Sequence, residues 1–376
     1  GLILAEKPPP VSPPPPSSPS DKLVHAAGMA LRQAFPLPLL LLISLPGGGP
    51  GRTGCSAAPA TAASVGGTPR RPHIVFILAD DYGWANIGLH RRGGSRQSQA
   101  EVQTPNLDGL ADEGILLDRH YGYKICSPSR SSLQSGRLAV HVNTANTRAT
   151  VFNETDPVSG SAGIPRNMTG LAQKLRAAGY RTHMVGKWDA GMATPEQTPL
   201  GRGYETWVGY FQHFNDYWRK TWGWIGDIDN CLNSFVDLFM HNATYRGGVR
   251  DGVSMSPECL SDPKSHEACY EEQLFRQRAV SVVREHDTSV AEAPLFLFYA
   301  FHLVHTPLEV PSRYLQRIDD LVAAAGGGEF DSANRRLYAA MTLYMDEAVG
   351  ELVESLKAKA MWEDTLLIFS ADNGGP

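Results

Sequence analysis

A chain of 376 residues, 42% of them hydrophobic, is long enough for one large domain with its own core. A net charge of −5 without a basic run excludes a charge-built nucleic-acid surface, and no internal repeat divides the chain. Residues 1–28 are rich in proline and serine (Pro8 to Pro10, Pro13 to Pro16) and lack the apolar content to fold. They are expected to be disordered, upstream of a true start at Met29. From Met29 a weak positive start at Arg32 precedes an apolar run, Leu37 to Leu45, then Pro46, three glycines and small residues around Ala57 to Ala60. Residues 29–60 therefore read as a signal peptide and linker. The run is too short to span a bilayer, so no stable membrane span is expected. Asn153, Asn167 and Asn242 each open a glycosylation triplet, which agrees with the secretory pathway. Cys259 and Cys269 could close a short loop as a disulfide, Cys231 lacks an obvious partner, and Cys55 leaves with the signal.

The rest of the chain, residues 70–376, alternates strands with helices. His73 to Ala79 is a continuous apolar run, read as a strand buried on both faces and ending in Asp80-Asp81. Thr104 is placed as the N-cap of a helix with Pro105 at its first position, an apolar stripe of Leu107, Leu110 and Ala111, and a stop at Gly114. A second helix is expected from about Asn167 to Ala178, stopped by Gly179, followed by a strand from Tyr180 to Val185. Leu295 to Phe301 is another buried strand. Arg335 to Ala360 is a long helix with Leu337, Met341, Tyr344, Leu352 and Leu356 near one face. Thr365 to Ser370 is a last strand, ending in Ala371-Asp372-Asn373. The alternation predicts an α/β domain with a large, mostly parallel sheet flanked by helices.

Active sites in such sheets gather at the carboxyl ends of strands. Asp80-Asp81 and Asp372-Asn373 would converge there if both strand ends share one edge. Either pair alone reads as solvated loop acids. Two pairs in matching positions form the oxygen-rich set that calcium or magnesium prefers. Between them lies Cys126-Ser127-Pro128-Ser129-Arg130, a lone cysteine in a polar turn, two residues before a proline and four before an arginine. The plain alternative is a free thiol at a helix start.

This stretch, continuing Ser131-Ser132-Leu133-Gln134-Ser135-Gly136-Arg137, resembles the first signature of the sulfatase family. Ile77 to Gly83, Thr104 to Asp108, Gly179 to Trp188, Val304 to Leu308 and Asp372 to Gly375 resemble further landmarks of that family in the same order, most closely of the arylsulfatase B type. The resemblance implies an alkaline-phosphatase-like fold and calcium-dependent hydrolysis of sulfate esters, on sulfated carbohydrate or an aryl sulfate. It implies that a formylglycine-generating enzyme, directed by Pro128 and Arg130, oxidises Cys126 to formylglycine. The hydrated aldehyde attacks sulfur with one hydroxyl and expels sulfate with the other, a release that serine could not provide. Asp80, Asp81, Asp372 and Asn373 would hold calcium, with the modified Cys126 completing the shell. Arg130 would steady the diol, Lys187 would contact diol and sulfate, and His305 would protonate the leaving oxygen, with His302 as the fallback. The location implied is the secretory pathway, extracellular or lysosome-like.

Two departures stand out. The second signature normally ends in histidine, where this chain has Asp189. As a base, Asp189 could still accept a proton from the diol, but it adds negative charge near an anionic substrate, so slow turnover is expected. The chain stops at Pro376, where sulfatases continue with a sulfate-binding lysine, more sheet and a small carboxy-terminal domain. These are expected to be missing, leaving the strand at Leu366 to Phe369 near an exposed edge. Competing readings are a phosphatase or phosphodiesterase on the same fold, which Cys126 disfavours, and a sulfated-glycan binder without turnover, which Asp189 favours.

Overall fold

The computed structural model describes residues 2–5, 71–146, 163–221, 235–249, 255–290 and 292–375. The segment read as signal peptide and linker, with Cys55, Asn153, Cys231 and Pro376, lies outside the described residues. In chain order the strands are β1 (Leu2–Ala5), β2 (His73–Ala79), β3 (Ile115–Leu117), β4 (Arg181–Gly186), β5 (Thr206–Gly209), β6 (Phe239–His241), β7 (Arg246–Gly248), β8 (Leu295–Ala300) and β9 (Thr365–Ala371). The helices are α1 (Arg96–Ala100), α2 (Pro105–Glu113), α3 (Cys126–Ser135), α4 (Leu171–Ala177), α5 (Pro257–Ser261), α6 (Glu271–Glu285), α7 (Ser312–Ala324) and α8 (Ala333–Ala358).

The strands form one sheet in the order β3-β1-β9-β2-β8-β4-β5-β6-β7. The inner five, β9 to β5, run parallel, while β1, β3, β6 and β7 pair antiparallel at the two edges. The continuous apolar runs follow from burial on both faces. Val75, Ile77 and Ala79 of β2 and Leu297 and Tyr299 of β8 pack with residues of α2, α6, α7 and α8. Leu78, Phe296, Phe298 and Ala300 face the other way, onto Trp188, Tyr204, Trp207 and Ala172 of α4. The fold is mixed α/β, as expected. Among the described residues no helix is long and apolar enough to cross a membrane.

Register then places the chemistry. Ala79 of β2 lies opposite Ala371 of β9, so Asp80 and Asp372 leave the sheet side by side. Ala300 of β8 pairs with Leu78 and with Gly186 of β4, so the segments carrying His305 and Lys187 leave at the same edge. Gly186 has φ +93, and a Cβ there would lie 1.8 Å from the Ala300 carbonyl oxygen, so only glycine permits this approach.

Two expectations are corrected and a third is refined. Within residues 1–28, Leu2–Ala5 is a strand, paired with β9 on one side and β3 on the other, so β9 is not at an edge. The second helix starts at Leu171 rather than Asn167, because extended Gly170 forms its N-cap and the Gln173 side chain accepts the Gly170 N–H at 2.7 Å. Thr104 holds the N-cap position of α2 as expected, but its side chain makes no capping bond: its hydroxyl accepts the Gly88 N–H at 2.7 Å and donates to Asp108 at 2.9 Å. Asp346 of α8 instead accepts the Asn106 and Leu107 N–H groups at 3.1 and 2.8 Å.

Candidate functional site

Asp80 is fully buried at the end of β2. Lys187 donates to its Oδ2 at 2.6 Å, and Arg130 lies 3.3 Å from its Oδ1. Burial pushes its pKa up, but Lys187 and Arg130 together pull it below the usual carboxylate value. Arg130 Nε donates to Asp372 Oδ2 at 2.9 Å, so one guanidinium bridges two strand ends. Burial, then the neighbouring Asp80 charge, raise Asp372 to about 6. Asp81 adopts φ +51, uncommon outside glycine, and its carbonyl accepts the Tyr338 hydroxyl of α8 at 2.9 Å. Asn373 Nδ2 donates to Asp81 Oδ1 at 2.6 Å.

Cys126 opens α3 and is 4% exposed. Its Sγ–H donates to Asp80 Oδ1 at 3.3 Å and lies 3.9 Å from Asp81 Oδ1. Burial, then the Asp80 charge, push the thiol well above its usual pKa. Thiolate is the reactive form of cysteine, and this site suppresses it. Ser127, Pro128, Ser129 and Arg130 are buried with it in the first turn and a half of the helix.

Lys187 and Asp189 are both fully buried just beyond β4. Burial opposes charge on Lys187, but Asp80 more than offsets this and holds the ammonium above its ordinary pKa. Asp189 adopts φ +49. Its Oδ1 accepts the Ser127 hydroxyl at 2.5 Å, while Oδ2 has no hydrogen-bond partner and lies 3.7 Å from Lys187 Nζ. Burial raises it to about 6, and Lys187 only partly counters this. Desolvation outweighs the neighbouring Asp80 charge in this shift.

His305 Nε2 lies 3.6 Å from Asp81 Oδ2, and its Nδ1 is 2.6 Å from the Thr306 carbonyl oxygen. That contact makes Nδ1 a donor and aims Nε2 at the site. His302, the fallback, is unsuited. It is fully buried, stacks on Tyr217 at 3.9 Å, and desolvation holds its pKa well below normal. Its Nδ1 faces Glu271 at 3.7 Å.

The structure thus brings Cys126, Arg130, Asp80, Asp81, Asp372, Asn373, Lys187, Asp189 and His305 together. Other named residues lie elsewhere. Asn167 is exposed before α4, and Asn242 sits between β6 and β7 with its Oδ1 accepting the Thr244 and Tyr245 N–H groups at 2.9 and 2.8 Å. Cys259 and Cys269 are joined in a disulfide. Ser127 and Tyr338 were not singled out from sequence as site residues. Ser127 sits inside the quoted motif, but its link to Asp189 spans 62 residues.

A bound cation can be tested against this donor set. Carboxylate oxygens of Asp80, Asp81 and Asp372 lie within 4.8 Å of one another. Asn373 Oδ1 is buried and has no hydrogen-bond partner. Four carboxylates, counting Asp189, face two permanent cations, Lys187 and Arg130, an imbalance that a divalent ion would offset. An oxygen-only set suits a hard ion such as calcium or magnesium better than zinc. The residues fit.

The sulfatase family model matches residues 72–376. Mouse arylsulfatase J is 32% identical over 305 residues, covering 81% of this chain and 43% of that protein. Rat N-acetylgalactosamine-6-sulfatase is 28% identical over 310 residues, covering 82% of this chain and 51% of that protein. The chain therefore spans about half the length of these relatives. The crystal structure of Ps i-CgsB superposes with a TM-score of 0.60 at 25% identity, covering 81% of this chain and 59% of that one. The alkaline-phosphatase-like sheet, the strand-end carboxylates and the motif opening at Cys126 thus occur in a chain that the family model matches over most of its length, and the chain belongs to the sulfatase family.

Proposed function

We propose that the protein hydrolyses sulfate esters, on sulfated carbohydrate, with calcium and a formylglycine made from Cys126. The observation that carries this reading is the state of Cys126: a buried thiol, beside Asp80 and held protonated, that is a poor nucleophile as it stands. Converted to formylglycine, the side chain would supply a hydrated aldehyde that attacks sulfur and releases sulfate by reverting to the aldehyde. Calcium, held by Asp80, Asp81, Asp372 and Asn373, would supply charge stabilisation for the sulfate oxygens.

The chain's own residues account for the rest. Arg130 and Lys187 offset part of the carboxylate charge and present positive charge to an anionic ester. With its Nδ1–H on the Thr306 carbonyl, His305 as an imidazolium would give its Nε2 proton to the leaving oxygen as the sulfur–oxygen bond breaks, and be left neutral. Asp189, close to Ser127 and Lys187, can accept a proton from the nucleophile as a base, but unlike a histidine it adds negative charge beside an anionic ester. Slow turnover follows. Because Cys126 to Arg130 are buried, a modifying enzyme would reach them before α3 packs.

The rat relative's name points to a sulfated N-acetylhexosamine as the substrate class. The signal-like segment and the acceptors Asn153, Asn167 and Asn242 support a glycoprotein of the secretory pathway, extracellular or lysosome-like. The second reading, a sulfated-glycan binder without turnover, is favoured by Asp189. Incubation with 4-nitrocatechol sulfate and 4-nitrophenyl phosphate, alongside direct glycan binding, separates these. Sulfate release without phosphate release is expected; glycan binding without hydrolysis would replace the leading reading with the second.

A further inference from the structure

The segment that follows β8 carries His305, and its backbone is held from behind by a carboxyl group on another element. Glu272 lies in the first turn of α6 and is fully buried. Its Oε1 accepts the N–H of His302 at 2.6 Å and of Leu303 at 3.1 Å. The same segment is then tied to β2: the Asp80 N–H donates to the Leu303 carbonyl at 2.8 Å, and the Val304 N–H donates to the Asp80 carbonyl at 2.7 Å. One residue later comes His305, with Nε2 3.6 Å from Asp81. Two hydrogen bonds to the Glu272 carboxyl and two between backbones thus join Glu272, the His305 segment and the Asp80 backbone into one unit. Tyr217 adds to it, its hydroxyl lying 2.9 Å from the His302 carbonyl oxygen and 2.8 Å from that of His305.

A buried carboxyl is costly, and an apolar residue at this helix position would avoid the cost. What an apolar residue cannot do is accept two N–H groups that would otherwise be buried without partners. Burial raises Glu272 to about 8, so at neutral pH it is an uncharged acid whose carbonyl oxygen still accepts. The neighbouring Glu271 is pushed well above its ordinary value, again by burial first, so no cation is needed to balance the pair.

We propose that Glu272 is a positioning residue for His305, fixing the His302–Leu303 peptides so that the proton-donating ring is set against the Asp80–Asp81 strand end. This rests on the sulfate-ester reading, in which His305 protonates the leaving oxygen. A phenolate leaving group departs without help, whereas the alkoxide of a sugar sulfate needs the proton.

The test compares wild type, Glu272→Gln, Glu272→Met and His305→Ala on 4-nitrophenyl sulfate and on N-acetylgalactosamine 6-sulfate. Glu272→Met keeps volume and loses the acceptor; Glu272→Gln keeps both. For Glu272→Met, kcat on the sugar sulfate is expected to fall about a hundredfold and on the aryl sulfate less than about threefold, with KM unchanged for both. Adding Glu272→Met to His305→Ala should cost nothing further, and Glu272→Gln should behave as wild type. Equal losses on both esters, or full additivity with His305→Ala, would overturn the proposal. If wild type hydrolyses neither ester, the sulfatase reading fails on its own. Amide exchange then reads the positioning, and does so also if Glu272→Met does not fold. Slow exchange at His302 and Leu303 in wild type and Glu272→Gln supports it, and fast exchange in wild type overturns it.

Discussion

Cys126 lies between two buried aspartates, Asp80 and Asp189, whose charge the fold treats in opposite ways. On one side Asp80, Asp81 and Asp372 emerge from adjacent strand ends, with Arg130 bridging Asp80 and Asp372 and Lys187 on Asp80. On the other side Asp189 has a hydroxyl partner and a lysine at 3.7 Å, and one oxygen without a hydrogen bond. Burial is complete for both Asp80 and Asp189. Asp80 nevertheless stays below its ordinary pKa while Asp189 rises to about 6. Two close cations overcome desolvation; one distant cation does not. Asp80 is held ionised by that pair of cations, whereas Asp189, and with it Asp372 on the first side, is pushed toward the protonated form.

The largest effect expected breaks both sides at once. Cys126→Ala should lower turnover of 4-nitrocatechol sulfate by about ten-thousandfold or more, since the nucleophile acts as a unit with its partners. Cys126→Ser should retain one covalent sulfate per chain, and continued turnover would contradict the precursor role. Calcium removal addresses the first side alone. A chelator should abolish turnover and added calcium restore it, whereas an unchanged rate would remove the metal from the account. Arg130→Ala should destabilise the fold by about 3–5 kcal/mol in urea unfolding, because two buried carboxylates lose their shared cation. A change below about 1 kcal/mol, the range of an exposed pair, would show that Arg130 is not the counter-charge.

On the second side, Asp189→His should raise kcat about tenfold, and a lower rate would mean that the aspartate is the working group. The smallest effect is on stability. Asp189 has a folded pKa of about 6, above the ordinary 3.8. The native state therefore binds its proton more tightly, and the stability it contributes is complete below about pH 4 and lost as pH rises through about 6. Asp189→Asn should remove that fall in a series of Tm measurements, and an unchanged profile would place the titration elsewhere.

Much of the first side was legible because its signals are local. An apolar run ending in two acids marks a strand end, and two such ends in a parallel sheet converge once their strands are neighbours, as β2 and β9 are. The long helix α8 was legible from its apolar spacing, but the bracing of Asp81 by Tyr338 was not, since it crosses 257 residues. α7 has a stripe of Tyr314, Ile318 and Val322, readable in principle. The start of α6 is harder, because Glu271 and Glu272 look solvent-facing and are fully buried. The burial of Lys187, Arg130 and Asp189 was equally hidden: a charged motif reads as surface until its partners from other strands are in place. The hydroxyl contact of Asp189 depends on the start of α3 meeting the end of β4, which no local pattern encodes.

The central claim is that Cys126 is a precursor rather than a thiol nucleophile. Mass spectrometry of the peptide spanning Cys126, taken from protein secreted by a host with formylglycine-generating activity, tests it most directly. The account predicts a mass lowered by the exchange of the thiol side chain for an aldehyde. An unmodified thiol in protein that still turns over sulfate esters would contradict it.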